Sequence, residues 1–129
     1  MLSYLIGTAA GFITIFGIRM FLKRDERLIY ALVLTGIGFL YVGYTWIDTL
    51  QLVITSIQAI LFLLLAAYGM RNIFLLASAY FLHGIWDLVY NYFAAATNVP
   101  PHYDGFCLSI DFVMGAYILL FNKRMSLSK

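Results

Sequence analysis

Read from its first residue, the chain is a succession of apolar stretches of similar length, separated by short polar ones. The breaks fall at LKRDER (22–27), TWID (45–48), GMRN (69–72) and AAATNVPPHYD (94–104). Between them lie five segments, 2–22, 27–45, 48–69, 72–93 and 105–122. Each is about 18–22 residues, enough to cross a bilayer core at roughly 1.5 Å per residue of helix. The first three breaks are tight turns. The fourth is a loop, in which Pro100-Pro101 stops any helix. The pattern predicts a single transmembrane domain over 1–129, an all-α integral membrane bundle of five helices. No linker and no internal repeat divides it.

Composition removes the soluble alternative. Hydrophobic residues are 64% of the chain and charged residues 11%, too few charges to cover the surface of a soluble domain of this length. The placement of the charges then sets a topology. Arg19, Lys23, Arg24 and Arg27 lie at the first turn, Arg71 at the third, and Lys123, Arg124 and Lys129 after the last segment. With five spans these three sites share one side, and the positive-inside rule makes it the cytoplasmic one. The N-terminus is therefore expected outside and the C-terminus in the cytoplasm, in a multi-pass protein of the cell membrane. The first basic residue follows the first apolar stretch, the reverse of a signal peptide, so that segment is expected to be retained. Tyr41, Tyr44, Trp46, Trp86, Tyr90, Tyr92 and Tyr103 gather toward the outer interface, where an aromatic belt is expected.

Polar residues inside the spans mark the chemistry. His83, Asp87 and Asn91 are spaced four and four, which stacks them along one side of the fourth helix. Counting from the outer boundary at roughly 1.5 Å per residue puts Asp87 about 9 Å deep and His83 about 15 Å. The same count on the fifth segment puts Asp111 at about 9 Å and Cys107 at about 3 Å. Asp87 and Asp111 thus meet at one level on antiparallel neighbours. The third segment adds Asp48, Gln51, Thr55 and Gln58, spaced three, four and three, with Gln58 near the depth of His83. Three helices each carry a polar face in the outer half of the membrane, while the inner half has almost nothing comparable.

A charge at the bilayer centre costs a few kcal/mol even on lenient scales, so such residues face the bundle interior or a cavity. The expectation is an outward-opening polar pocket walled by segments 3, 4 and 5, with segments 1 and 2 as scaffold. Gly7 and Gly11 form a G-x-x-x-G, and Gly36, Gly38 and Gly43 add small contacts suited to close packing or dimerisation.

Each polar group has a structural reading beside the functional one. His83 and Asp87 could simply be interhelical hydrogen-bonding glue. As a site, Asp87 and Asp111 form an acid–base pair with His83 as proton partner, the three catalytic candidates. Asp48, Gln51, Thr55, Gln58, Trp86, Asn91 and Cys107 are the candidate substrate contacts. Asp48 also suits a helix N-cap. His102 and Asp104 fit a solvated loop, and Asp25 and Glu26 a solvated turn. A metal bound by His83, Asp87, Asp111 and Cys107 is a third reading. The chain has only two histidines, and Cys107 should lie shallower than the rest, so no metal and no cofactor is expected. A lone cysteine forms no intramolecular disulfide. There is no Walker A loop, G-x-S-x-G, C-x-x-C or H-E-x-x-H. The basic residues are short flanking clusters and not a face for nucleic acid.

FLHGIWDLVYN, VPPHYDGFC and CLSIDFVMGAY together follow H-x-x-W-D, then P-x-x-x-x-x-C-x-x-x-D-x-x-x-G. This resembles a family of small, functionally uncharacterised bacterial integral membrane proteins, a domain of unknown function, with a fainter echo at YVGYTWID. The resemblance covers the last two spans and their loop. It implies a bacterial inner-membrane protein and adds emphasis to His83, Trp86, Asp87, Cys107 and Asp111, but supplies no reaction.

Two functions stay open. One is a pocket that binds or acts on a membrane lipid or small amphiphilic ligand, by acid–base chemistry at its three ionisable groups. The other is a proton- or ion-coupled transporter or channel subunit, which five short helices could form only as a homo-oligomer. Whether the protein is an enzyme is not decided by these residues.

Overall fold

In the computed structural model, which describes residues 1–93, 99–121, 123 and 125, the apolar segments are helices almost to the residue. They are α1 (Leu2–Phe21), α2 (Glu26–Thr45), α3 (Thr49–Gly69), α4 (Ile73–Phe93) and α5 (Tyr103–Leu120). All five are long and apolar enough to cross a membrane. A short 3-10 turn, Lys23–Asp25, links α1 to α2. Residues 94–98 of the last loop, and Arg124 and Lys129 of the terminal basic cluster, lie outside the described residues.

Local chemistry sets several boundaries. The Asp48 carboxylate accepts from the Gln51 amide at 3.0 Å, satisfying one of the orphan N–H groups that open α3. Asn72 does the same for α4, accepting from the amides of Phe74 at 3.1 Å and Leu75 at 3.3 Å. After Pro100-Pro101, His102 takes a left-handed conformation (φ 64°) immediately before α5. Histidine is among the side chains that tolerate this region.

Neighbours in space are not always neighbours in sequence. Around the bundle the order is α1, α5, α4, α3, α2, and α1 meets α2 only slightly. Helix α4 is the central post, with 50% of its span buried against at most 33% for the others. The tight α1–α5 seam explains the G-x-x-x-G. A Cβ on Gly7 would collide with the Ser109 hydroxyl and the Phe106 carbonyl, and one on Gly11 would meet Val113 at 3.0 Å. The motif serves packing within the chain, where small residues let two helix backbones approach.

At the end bearing Arg19, Arg24, Arg27 and Arg71 the interior is filled by apolar and aromatic side chains. Tyr30, Leu34, Leu76, Ala77, Tyr80 and Ile118 form its centre. The Tyr80 hydroxyl donates to the Tyr30 carbonyl at 2.7 Å, tying α4 to α2. Large apolar side chains such as Phe12, Ile13, Phe16, Leu50 and Ile57 point outward, as hydrocarbon solvent allows. Polar groups concentrate toward the opposite end, where α4 finishes and α5 starts.

Candidate functional site

His83, Asp87 and Asp111 come together in the middle of the bundle, all at or below 1% exposure. The four-residue step on α4 puts Asp87 one turn from His83, and α5 runs alongside to deliver Asp111. His83 Nδ1 is 2.8 Å from Asp111 Oδ2, a hydrogen bond, and 3.4 Å from Asp87 Oδ2, an ion-pair distance. One imidazole nitrogen thus lies between two carboxylates. His83 Nε2, both Asp87 oxygens and Asp111 Oδ1 are buried without a hydrogen-bond partner. Such orphaned groups are rare in folded chains, because each forfeits its solvation without replacement.

Above Asp87, toward the end of α4, the site is roofed by tyrosines. Tyr41 of α2 is fully buried and close to Asp87. Its ring meets Tyr90 edge-on with centroids 4.8 Å apart and Tyr103 at 6.1 Å. The Tyr90 hydroxyl donates to Gln51 Oε1 at 2.9 Å, joining α4 to α3. Cys107 is buried close to Tyr103 and Asp87. Tyr41 and Tyr90 are therefore interior groups and Tyr103 is half-buried against them, whereas Trp46 and Tyr92 remain outside at 70% and 91% exposure.

The third helix contributes less directly than its spacing suggests. Thr55 is buried and shares a 2.7 Å hydrogen bond with Thr45 of α2. Gln58, oriented with its amide nitrogen toward the backbone, donates to the Gly38 and Thr55 carbonyls at 3.1 and 3.2 Å. These groups fasten α3 to α2. Asp48 is exposed and occupied as an N-cap, and Asn91 is exposed on the last turn of α4, apart from the cluster. Phe62, one turn beyond Gln58 on α3, is the side chain that reaches His83, and sequence spacing gave no reason to single it out. Its ring is edge-on to the imidazole, centroids 4.7 Å apart.

A groove of about 420 Å³ opens between α3 and α4. Ile57, Leu61, Leu82 and Ile85 form its rim, and Gln58, Phe62 and Trp86 its inner wall. The rim residues are 47–64% exposed, apart from Leu82 at 46%. This opening faces sideways from the bundle and is lined by hydrocarbon. Phe62 is both its floor and the side chain against His83.

These features define a class, a small polytopic α-helical membrane protein with ionisable residues enclosed in its core. Over residues 2–124 the chain matches the family of unknown function DUF6010, and it belongs to that family. No curated protein and no solved structure matches it significantly.

Proposed function

We propose that the protein binds, and acts on, a lipid-like or small amphiphilic molecule that enters sideways between α3 and α4. The observation that carries this reading is the position of Phe62, shared by the apolar groove and the His83 environment. Hydrocarbon would lie along Ile57, Leu61, Leu82 and Ile85, and a polar head would reach the centre past Phe62 and Trp86. Pockets of a few hundred Å³ with apolar walls and few polar groups suit such ligands.

At the centre, Asp111 holds His83 through the 2.8 Å bond and orients its ring. Asp87 has no hydrogen bond to either oxygen and only the 3.4 Å ion pair to His83, so it is the group placed to accept a hydrogen bond from the ligand. The pocket is thus entered from the lipid side, beneath the tyrosine roof, and not straight from the outer water. The apolar packing around Leu34, Leu76 and Ile118 favours this closed-bottomed reading over a path across the membrane. The membrane orientation we adopt has the basic turns in the cytoplasm, so that the site occupies the outer half.

Native mass spectrometry of protein extracted gently from membranes tests the reading. A co-purifying amphiphile at about one per chain is expected for a specific site. Protein that carries no such mass, or carries it equally after the groove is filled, would sink it.

A further inference from the structure

We infer that His83, Asp87 and Asp111 form a binding site for a first-row divalent cation of the zinc type. This deepens the function proposed above: with the ion bound, His83 Nδ1 and the two carboxylates become its ligands, and the ligand's polar head meets the ion's open position in place of Asp87. The assignment of the ion stands on the cluster alone, while its role in holding a ligand's polar head rests on that reading.

Geometry is the first support. One ligand atom from each of the three residues can be chosen so that all lie within 4.8 Å of one another. Bonds of roughly 2.0–2.2 Å in a tetrahedral arrangement separate donors by about 3.4 Å. His83 Nδ1 and Asp87 Oδ2 are already 3.4 Å apart, and Nδ1 and Asp111 Oδ2 are 2.8 Å apart. Two rigid, adjacent helices supply all three donors, so small side-chain rotations complete the set.

Unused donor capacity is the second. Both oxygens of Asp87 and one of Asp111 are fully buried and have no hydrogen-bond partner. A cation beside His83 would give these oxygens the partner they lack.

Charge is the third. Two ionised carboxylates and one imidazolium leave a net charge of −1 inside a membrane span, which hydrocarbon strongly disfavours. Two carboxylates, a neutral imidazole and a divalent ion sum to zero; protonation of one carboxylate would do the same, and the metal titration below separates the two. Arg19, Arg24, Arg27 and Arg71 cannot serve instead, since they sit at the opposite end of the bundle. Among the described residues the ion pairs to the two carboxylates come from His83 alone.

The donor types point to the class of ion. Magnesium and calcium favour oxygen shells completed by water, whereas an imidazole among carboxylates suits zinc, manganese or ferrous iron. Three protein donors leave a coordination position open, the arrangement of reactive rather than purely structural sites. Cys107 is not counted as a donor, because its thiol lies with Tyr103.

The test uses the full chain in detergent, stripped with chelator and then dialysed against cobalt(II), whose visible spectrum reports its coordination. We expect about one cobalt per chain with a low-coordinate protein-ligand spectrum, displaced by zinc. Asp87→Asn and Asp111→Asn should each weaken binding at least about tenfold, judged against the loss seen even for outer-shell changes. Asp25→Asn, at the far end of the bundle, should leave it unchanged. A wild type that binds no cobalt stoichiometrically, or asparagine variants that bind as well as wild type, overturns the site. Should an asparagine variant fail to fold, the stripped wild type decides alone, by the presence or absence of a one-to-one, zinc-displaceable spectrum. Native mass spectra of the same sample separate the two proposals. An ion without an amphiphile removes the ligand reading and keeps the site, and an amphiphile without an ion does the reverse.

Discussion

His83 on α4 and Asp111 on α5 are joined across the helix interface by a 2.8 Å hydrogen bond, with each side chain 1% exposed. Asp87, one turn away on α4, is as deeply buried yet has no hydrogen bond to either oxygen. The two aspartates should therefore respond unequally to removal. With chelator present, Asp111→Ala breaks a buried pair and should cost about 3 kcal/mol of bundle stability. Asp87→Leu removes acceptors that make no hydrogen bond, along with a longer, 3.4 Å ion pair, and should change stability by no more than about 1 kcal/mol. Reversible unfolding in mixed micelles measures both. Equal losses would mean that Asp87 is structural glue.

Filling the groove should block the ligand without loosening the fold. Ile57 is 64% exposed at the rim, so Ile57→Trp places new bulk in the opening and displaces nothing in the core. Stability should change by no more than about 0.5 kcal/mol. The amphiphile mass in native spectra should fall severalfold. An unchanged mass would show that the ligand enters elsewhere.

The α1–α5 seam should be far less tolerant than the glycine count implies. Gly7→Leu drives a side chain into Ser109 and the Phe106 carbonyl, and overpacking of this kind costs about 1–3 kcal/mol or more. Gly17 has nothing within 4 Å of a built Cβ, so Gly17→Ala should be neutral or gain up to about 1 kcal/mol of helix propensity. Thermal melts of the two variants in one detergent decide. Similar melting temperatures would contradict the seam.

Tyr90→Phe tests the roof. It deletes the 2.9 Å bond to Gln51 that ties α4 to α3 while keeping the ring packed on Tyr41. Interhelical hydrogen bonds in membranes average about 0.6 kcal/mol, so a loss of about 0.5–1 kcal/mol is expected. Amide exchange near the α3 start should rise with it.

The helices were legible because hydrocarbon thickness leaves so few options. An apolar run of about 20 residues bounded by charges has one stable form in a bilayer. The level of Asp87 and Asp111 was legible for the same reason, since antiparallel helices joined by one loop share a depth scale. Direction around the helix axis was less so. Each four-residue step overshoots a full turn by about 40°, so the face of His83 and Asp87 has drifted by Asn91, which ends exposed. Tyr41 is read from the sequence as part of the aromatic belt but is fully buried, because a tyrosine near a membrane interface suits belt and core equally well. Phe62 is one of 11 phenylalanines, and periodicity alone does not say which of them touches a polar group. Gln58 kept its depth but found backbone carbonyls nearer than His83.

Because α1 and α4 both pack on α5, the last span closes the bundle and completes the polar centre in one step. During synthesis, a chain halted before Tyr103 would hold His83 and Asp87 without their third partner, and Gly7 and Gly11 facing lipid. Such an intermediate carries an incomplete polar cluster and an unfilled helix seam together. One helix thus carries both the packing of the bundle and the third member of its polar centre, so neither is gained or lost without the other.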